Sequence, residues 1–322
     1  MSHPILGLHH VTATVDDAQP DLDFASGALG LRLLKKTVNF DNHHVYHFYY
    51  GDERGTPGTI WTTFPYHGRG VQPGVKGAGQ IVVTSFSVPA GSLAFWTSRL
   101  RASGTTVGEV ERRFGEESIE AVDPSGLVIS LVAGTRDART GWTGGGVAPA
   151  QAVRGLHSVT LLVRSPRATA DFLADLLGFE ITDESDDRIR VGVHGGGPGR
   201  TFEIVRGADA APAKNGLGTV HHVALAIAEA GEQARLRQEL LDRDHRVTEV
   251  LDRQYFQSIY FREPGGVLLE VATVQPGFTV DEPLDALGRG LKLPPWEEPN
   301  RSAIEAGLPP IVPPGSSVSP NT

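Results

Sequence analysis

A short strand-like pattern recurs along the chain and constrains its fold more than any other feature. It reads Gly-Leu-His-His-Val-Thr at 7–12, Gly-Leu-His-Ser-Val-Thr at 155–160 and Gly-Thr-Val-His-His-Val at 218–223. In each copy a glycine precedes a run of apolar and β-branched residues, which is typical of a strand that follows a turn. Recurrence at long intervals indicates that the chain is built from copies of one supersecondary unit.

Two shifts of the sequence against itself define that unit. A shift of 148 residues aligns the first two patterns, and a shift of 140 residues aligns the Asp-Pro-Ser-Gly turn at 123–126 with Glu-Pro-Gly-Gly at 263–266. Each opening strand leads into an amphipathic helix, and turn residues then separate three more strands. We therefore predict an α+β fold of four βαβββ units, at about 5–66, 78–133, 153–206 and 217–273.

The helix of the third unit carries the clearest local signals. Ser165 is a natural N-cap, and Pro166 suits the first helical position because it needs no hydrogen-bond acceptor there. Gly178 follows an apolar stripe and predicts the end of the helix.

The composition of the connecting segments predicts how the units are grouped. We expect an N-terminal pair of units in 1–134 and a C-terminal pair in 153–273, joined by a linker at 135–152 that is rich in Gly, Ala and Thr. The proline-rich segment 274–322 predicts an arm, and the apolar residues near Trp296 indicate that it packs against the body. Its end, from Pro313 onward, is expected to be disordered.

The amino-acid composition limits the chemistry that the chain can perform. The chain has no cysteine, so any metal must be held by nitrogen and oxygen ligands. A formal net charge of −9 argues against a nucleic-acid partner. No apolar run approaches the roughly 20 residues that span a bilayer, and the N-terminus lacks a signal pattern, so a cytoplasmic location with no membrane partner is expected.

Several stretches beyond the histidine pairs carry a resemblance to a known family. They are the opening at 8–12, Lys-Thr-Val-Asn-Phe-Asp at 36–41, Tyr-His-Phe-Tyr-Tyr-Gly at 46–51, Val-Leu-Leu-Glu-Val-Ala-Thr at 267–273 and Asp-Glu-Pro at 281–283. Over nearly its whole length the chain resembles the vicinal oxygen chelate superfamily, and within it the dioxygenases that cleave the rings of hydroquinones. The resemblance implies two half-open mixed β-barrels, each formed by two units.

The internal repeat offers a separate test of where a metal could bind. At the position of the second histidine, the four units carry His10, Val82, Ser158 and His222. In the last strand they carry Thr62, Ser130, Glu203 and Glu270. Pairing the first unit with the fourth collects His10, His222 and Glu270, with the small Thr62 at the fourth corner. Two histidines and one carboxylate, with room for other ligands, suit non-haem Fe(II).

A rival pairing, of the third unit with the fourth, would collect Ser158, Glu203, His222 and Glu270. Imidazole binds a divalent transition metal more readily than a seryl oxygen does, which favours the first arrangement. The resemblance favours it too, since it implies that the first and last units hold the metal. His157 aligns with His9 and His221, which strand alternation places on the opposite face from the metal ligands, and is expected to be structural.

The resemblance also implies further site residues, a cofactor and a substrate. His9, Thr12, His221, Arg253 and Tyr260 fall on positions that line the site in the family. Arg253 and Tyr260 are expected to hold the second oxygen of a hydroquinone or the charge that develops on dioxygen. His9 and His221 either shuttle protons near neutral pH or only orient the metal ligands. Fe(II) is the implied metal, with Mn(II) as the alternative, and a small aromatic compound and O2 are the implied partners.

The leading hypothesis is therefore an Fe(II)-dependent extradiol-type dioxygenase acting in the catabolism of aromatic hydrocarbons with para-hydroxyl groups. A glyoxalase-type isomerase or lyase is a second hypothesis, although such sites hold four protein ligands and Thr62 is a poor fourth. A protein of the bleomycin-resistance kind, which sequesters a ligand without catalysis, is a third, and the His10, His222 and Glu270 set argues against it. The sequence leaves the ring substituents and formation of a homo-oligomer open.

Overall fold

The computed structural model describes residues 4–134 and 136–313. The disorder expected from Pro313 onward concerns, apart from Pro313 itself, residues 314–322, which lie outside the described residues. No helix of the described residues is long and apolar enough to cross a membrane.

Four βαβββ units follow one another, which confirms the predicted fold class. The first unit is β1 (Ile5–Val15), α1 (Ala18–Leu22), which continues into a π-helical turn (Asp23–Ala28), β2 (Arg32–Asn39), β3 (Asn42–Gly51) and β4 (Ile60–Pro65). The second is β5 (Gln80–Pro89), α2 (Leu93–Ala102), β6 (Thr106–Arg113), β7 (Glu116–Val122) and β8 (Val128–Gly134). The third is β9 (Gly155–Val163), α3 (Pro166–Leu177), β10 (Glu180–Glu184), β11 (Arg188–Gly192) and β12 (Thr201–Arg206). The fourth is β13 (Thr219–Ile227), α4 (Ala230–Asp242), β14 (Leu251–Asp252), β15 (Phe256–Arg262) and β16 (Leu268–Pro276).

The strands form two eight-stranded mixed sheets. The first has the order β14-β15-β16-β13-β1-β4-β3-β2, and the second has the order β10-β11-β12-β9-β5-β8-β7-β6. The first and fourth units thus share one sheet, and the second and third share the other. The division into pairs at 1–134 and 153–273 does not coincide with the sheets, because the opening strands pair across it. Apolar side chains set that pairing, as in Val11 opposite Val223 and Leu8 opposite Leu225.

The expected linker packs against the body rather than bridging separate bodies. Arg139 donates hydrogen bonds to the carbonyls of Gly58, 2.8 Å away, and Leu156, 2.7 Å away, and so ties the first unit to the third. Val147 and Ala152 in the same segment are buried.

The arm returns to the first sheet and ends in a short helix, α5 (Arg301–Gly307). Lys35 of β2 is fully buried and pairs with Asp281 at 2.6 Å and Glu282 at 2.7 Å. Further along the arm, Leu293 and Ile304 are buried, whereas Trp296 is half-exposed and packs edge-on against Phe40.

Candidate metal centre

The paired histidines lie on the two central strands of the first sheet. β1 and β13 run antiparallel, and the ladder is interrupted three times, with Leu6 and His9 as extra residues on β1 and His221 as the extra residue on β13. A bulge re-aims side chains where it interrupts strand alternation. The Nδ1 atoms are 2.9 Å apart in the pair His9 and His10, and 2.7 Å apart in the pair His221 and His222. The alternation expected for His9 and His221 is therefore wrong at both bulges.

Three side chains from the first and fourth units converge between these strands. The Nε2 atoms of His10 and His222 are 3.3 Å apart. Glu270, on the neighbouring β16, places its Oε2 atom 3.2 Å from His10 Nε2 and 2.8 Å from His222 Nε2. Glu270 is fully buried, and the two histidines are at most 5% exposed. These are the three residues that the repeat analysis brought together.

The donor set fits one divalent metal ion. Ligand atoms that lie about 2.1 Å from an ion at right angles to one another are roughly 3 Å apart. The three separations here span 2.8 to 3.3 Å. Glu270 Oε2 is also buried without a properly aligned hydrogen-bond donor, although both imidazoles are close to it. A buried carboxylate oxygen without such a donor is costly, and a cation between the three groups would compensate it.

The hydrogen bonds within each histidine pair orient the metal-facing nitrogens. In each pair one Nδ1 atom donates its proton to the other, across 2.9 Å between His9 and His10 and 2.7 Å between His221 and His222. These contacts hold the Nε2 atoms of His10 and His222 toward Glu270 Oε2.

Burial governs the charge of this cluster. It lowers the pKa of His9 and of His221 to about 3, with the neighbouring imidazole as the second cause in each case. Both are therefore neutral at pH 7. Burial alone would raise the pKa of Glu270, but His10 and His222 hold it well below its usual value. Glu270 is therefore a carboxylate at pH 7, and burial also lowers the pKa of His222, which favours the neutral imidazole that metal ligation requires.

The fourth corner of the site carries no carboxylate. Thr62 faces Thr12 in the parallel pairing of β4 and β1, and their hydroxyl oxygens are 2.8 Å apart. His47 Nε2 lies 3.0 Å from the hydroxyl of Thr62. Burial lowers the pKa of His47 well below its usual value, so this imidazole is neutral too. The side of the candidate metal site that Glu270 does not occupy is therefore lined by the hydroxyls of Thr12 and Thr62 and by the neutral imidazole of His47.

A cavity of ≈ 220 Å³ opens above the two metal-facing histidines. Arg253 donates its Nε–H to the hydroxyl of Tyr260 at 3.2 Å, and its Nη1 lies 3.3 Å from Asp41. A cavity of about 150 Å³ already holds a benzene molecule, so this one takes a single substituted ring. Other wall residues are Thr12, Thr14, Asn39, Phe40, His47, Tyr49, Phe64, Tyr66, His221 and Phe256.

The expected site residues do not all reach this cavity. Thr12, His221, Arg253 and Tyr260 line it, whereas His9 is only 2% exposed and packs behind against the ring of Phe256.

Glu203 belongs to the second sheet, which removes the rival pairing of the third unit with the fourth. It pairs there with Arg188 and Arg190. The bulge in β5 falls at Val82, so Val83 is the counterpart of His222, one residue later than the repeat predicted. His157 bonds Ser158 through Nδ1 and Glu116 through Nε2.

Sequence reasoning missed His47 and Ser258 as members of the site. His47 precedes Tyr49 by two residues on β3, and Tyr49 faces Thr62 across the ladder. Ser258 stands in the same relation to Tyr260, which faces Glu270. This correspondence between the first and fourth units is the signal that could have found both residues. It is hidden in the sequence because the two residues differ in type.

Comparison with known proteins gives consistent results. The profile of the Glyoxalase/Bleomycin resistance protein/Dioxygenase superfamily matches residues 155–271. The chain is 41% identical to "Putative ring-cleaving dioxygenase MhqO" of Bacillus subtilis (strain 168), over 97% of this chain and 98% of that protein. It is 35% identical to chlorohydroquinone/hydroquinone 1,2-dioxygenase of Sphingobium indicum, over 91% of this chain and 92% of that protein. A crystal structure of a "putative dioxygenase" from Bacillus subtilis superimposes with a TM-score of 0.91 at 40% identity, covering 97% of this chain and 99% of that one.

Proposed function

Because the chain belongs to the glyoxalase/bleomycin resistance protein/dioxygenase superfamily, we propose that it is an Fe(II)-dependent ring-cleaving dioxygenase of the extradiol type that acts on a hydroquinone-like aromatic compound. The ring-cleaving dioxygenase names of relatives that span almost the whole chain support the reaction class. The name of the Sphingobium relative supports a para-diol as the substrate.

One observation carries the proposal: His10, His222 and Glu270 form a buried group that could hold a metal at the floor of a single-ring cavity. Two histidines and one carboxylate with open positions are the ligand set of non-haem Fe(II) oxygenases, and Mn(II) is the alternative. When bound, the metal would supply a Lewis acid for a ring hydroxyl and electrons for dioxygen. Thr62 is bonded to Thr12 and His47, which disfavours a fourth protein ligand of the glyoxalase type.

Arg253 is assigned to hold the second oxygen of the ring. Its side chain is 17% exposed and lines the cavity, so its guanidinium can meet a substrate there. Tyr260 orients the guanidinium through its hydroxyl and through the ring, 5.3 Å from the Arg253 Cζ atom. A positioned cation stabilises negative charge that develops on substrate oxygens during the reaction.

The histidines that accompany the ligands have different roles in this proposal. His9 is sealed behind the site and orients His10, while His221 lines the cavity and can also exchange a proton with the substrate. His47, on the open side next to Thr62, is a second candidate for proton transfer. Thr12 engages the hydroxyl of Thr62 in a hydrogen bond at 2.8 Å.

Oxygen uptake tests the proposal directly. Protein loaded anaerobically with Fe(II) is offered a panel of hydroquinones and catechols while oxygen and aromatic absorbance are followed. We expect uptake coupled to loss of absorbance with para-diols, no uptake with His222→Ala, and unchanged uptake with His157→Ala in the second sheet. Absence of uptake with every diol, from protein shown to contain iron, would overturn the proposal and favour glyoxalase-type substrates.

A further inference from the structure

We propose that Ser258 is a positioning residue of the metal centre, which holds one oxygen of Glu270 so that only the other oxygen faces the metal. The inference rests on the proposed metal site. Its consequence is that Glu270 occupies one coordination position, and the remaining positions stay free for a ring hydroxyl and dioxygen.

The two carboxylate oxygens of Glu270 have different partners. Ser258 donates its hydroxyl proton to Oε1, and both residues are fully buried on adjacent strands of the first sheet. The other oxygen, Oε2, lies 2.8 Å from His222 Nε2 and 3.2 Å from His10 Nε2. A carboxylate with two free oxygens can bind an ion through both, as many do. A hydrogen bond from a buried hydroxyl to one of them opposes that.

The strand that carries Ser258 also reaches the cavity. Tyr260, two residues further along β15, faces Glu270 across the ladder, and Arg253 donates its Nε–H to the oxygen of Tyr260. Arg253 and Tyr260 line the cavity, whereas Ser258 is fully buried and contacts Glu270 instead.

The internal repeat supplies a comparison within the same chain. In the first unit His47 takes the place of Ser258 and bonds Thr62, the counterpart of Glu270. In the second unit a shift of 140 residues places Ser118 at the position of Ser258 and Ser130 at the position of Glu270. Ser118 lines the small cavity of the second sheet, where Ser130 stands in place of the carboxylate of Glu270. The change Ser118→Ala is therefore a matched control.

Manganese binding tests the inference without relying on turnover. Mn(II) is titrated into metal-free protein, free ion is measured by electron paramagnetic resonance, and bound water is measured by proton relaxation. In Ser258→Ala, Glu270 can bind through both oxygens and displace one of about three waters of an octahedral ion. We expect the relaxation enhancement per bound ion to fall by roughly a third, or the affinity to fall about tenfold or more, as is typical for residues that orient ligands.

The outcomes separate this inference from the proposed function. Wild-type affinity and relaxation in Ser258→Ala, or equal changes in Ser118→Ala, would overturn the role of Ser258 alone. Failure of the wild-type protein to bind Mn(II) better than His222→Ala would overturn the metal centre and this inference with it. Folding is checked by circular dichroism. If Ser258→Ala does not fold, Ser258→Cys gives the same comparison, because it keeps the volume and offers only a weak donor.

Discussion

Arg253 brings a positive charge to the cavity wall, and its removal should affect the substrate rather than the metal. We predict that Arg253→Met lowers kcat/KM about 10- to 100-fold, the usual effect of losing a hydrogen bond from a charged group. Mn(II) affinity should stay within twofold of the wild-type value. Steady-state kinetics and metal titration measure the two effects. Arg113→Met, at the repeat-related position in the second sheet, is the control and should leave kcat/KM unchanged.

Asp21 is a buried carboxyl outside the cavity, and it should make stability depend on pH. Burial raises its pKa from 3.8 to about 7, although Thr63 at 2.6 Å and Tyr50 at 2.8 Å donate hydrogen bonds to it. Between these values the native state holds a proton that the unfolded state has lost. Stability that is fully present below about pH 4 is therefore lost as the pH rises through 7, by on the order of 4 kcal/mol.

The change Asp21→Asn should remove that dependence. Urea unfolding at pH 5 and pH 8 should show a smaller loss of unfolding free energy in the variant than in the wild-type protein. Asp123, whose pKa burial raises to about 6, contributes in the same direction in both proteins, so the variant keeps part of the pH dependence. Equal losses in the two proteins would contradict the prediction.

The sequence predicted a residue of the candidate site only where the same residue type recurs at equivalent positions of the repeat. His10 and His222 recur as the second member of a pair, and Glu270 ends an apolar strand in the last unit. Ser258 was not singled out, because its counterpart in the first unit is a histidine, and the register of β15 and β16 is needed to place it near Glu270.

At the level of elements, periodicity and turn residues predicted the order of strands and helices but not their irregularities. α3 begins at Pro166 and ends at Leu177, and Gly178 caps it in the left-handed conformation, although Ser165 makes no side-chain capping bond. The bulges at His9 and His221 could not be predicted, because a bulge depends on how two strands pair. Those bulges bring the histidines of each pair into contact, so the pairing of strands determines the chemistry of the site.

The arm is the element whose attachment can be tested most directly. Lys35 is fully buried between Asp281 and Glu282, and Tyr255, next to the cavity residue Phe256, donates its hydroxyl to Asp281. Breaking a buried ion pair by removing one partner costs roughly 3 kcal/mol or more. We predict that Lys35→Met lowers the unfolding free energy by about that amount and speeds proteolysis within 277–313.

The control for the arm is Lys36→Met, because Lys36 directly follows Lys35 on β2 and is only half-buried. It should change the unfolding free energy by less than about 1 kcal/mol. Because Tyr255 loses its orientation with the arm, KM for the aromatic substrate should rise in Lys35→Met and not in Lys36→Met. A Lys35→Met protein with wild-type proteolysis would show that the arm is held by its apolar contacts instead.

At the level of the whole molecule, the two sheets have the same topology but carry different groups of polar side chains at their centres. The first holds His10, His222 and Glu270, while the second holds Glu203 with Arg188 and Arg190. The repeat showed that the second and third units lack a metal set, but the ion-pair cluster needed the structure, because its members come from strands whose pairing the sequence does not specify. Ion pairs occupy in one sheet the place that a metal is proposed to take in the other.

This division predicts that the second sheet contributes to stability and not to metal binding. Glu203 is 8% exposed and faces two arginines that are at most 14% exposed, so Glu203→Gln leaves poorly compensated buried charge. We expect the unfolding free energy to fall by roughly 3 kcal/mol, while Mn(II) affinity and kcat/KM of the folded protein stay within twofold of wild type. Glu184→Gln, which disrupts the exposed pair with Arg167, should cost less than about 1 kcal/mol. A loss of metal affinity in Glu203→Gln would instead mean that the two sheets are energetically coupled through the strands that join their units.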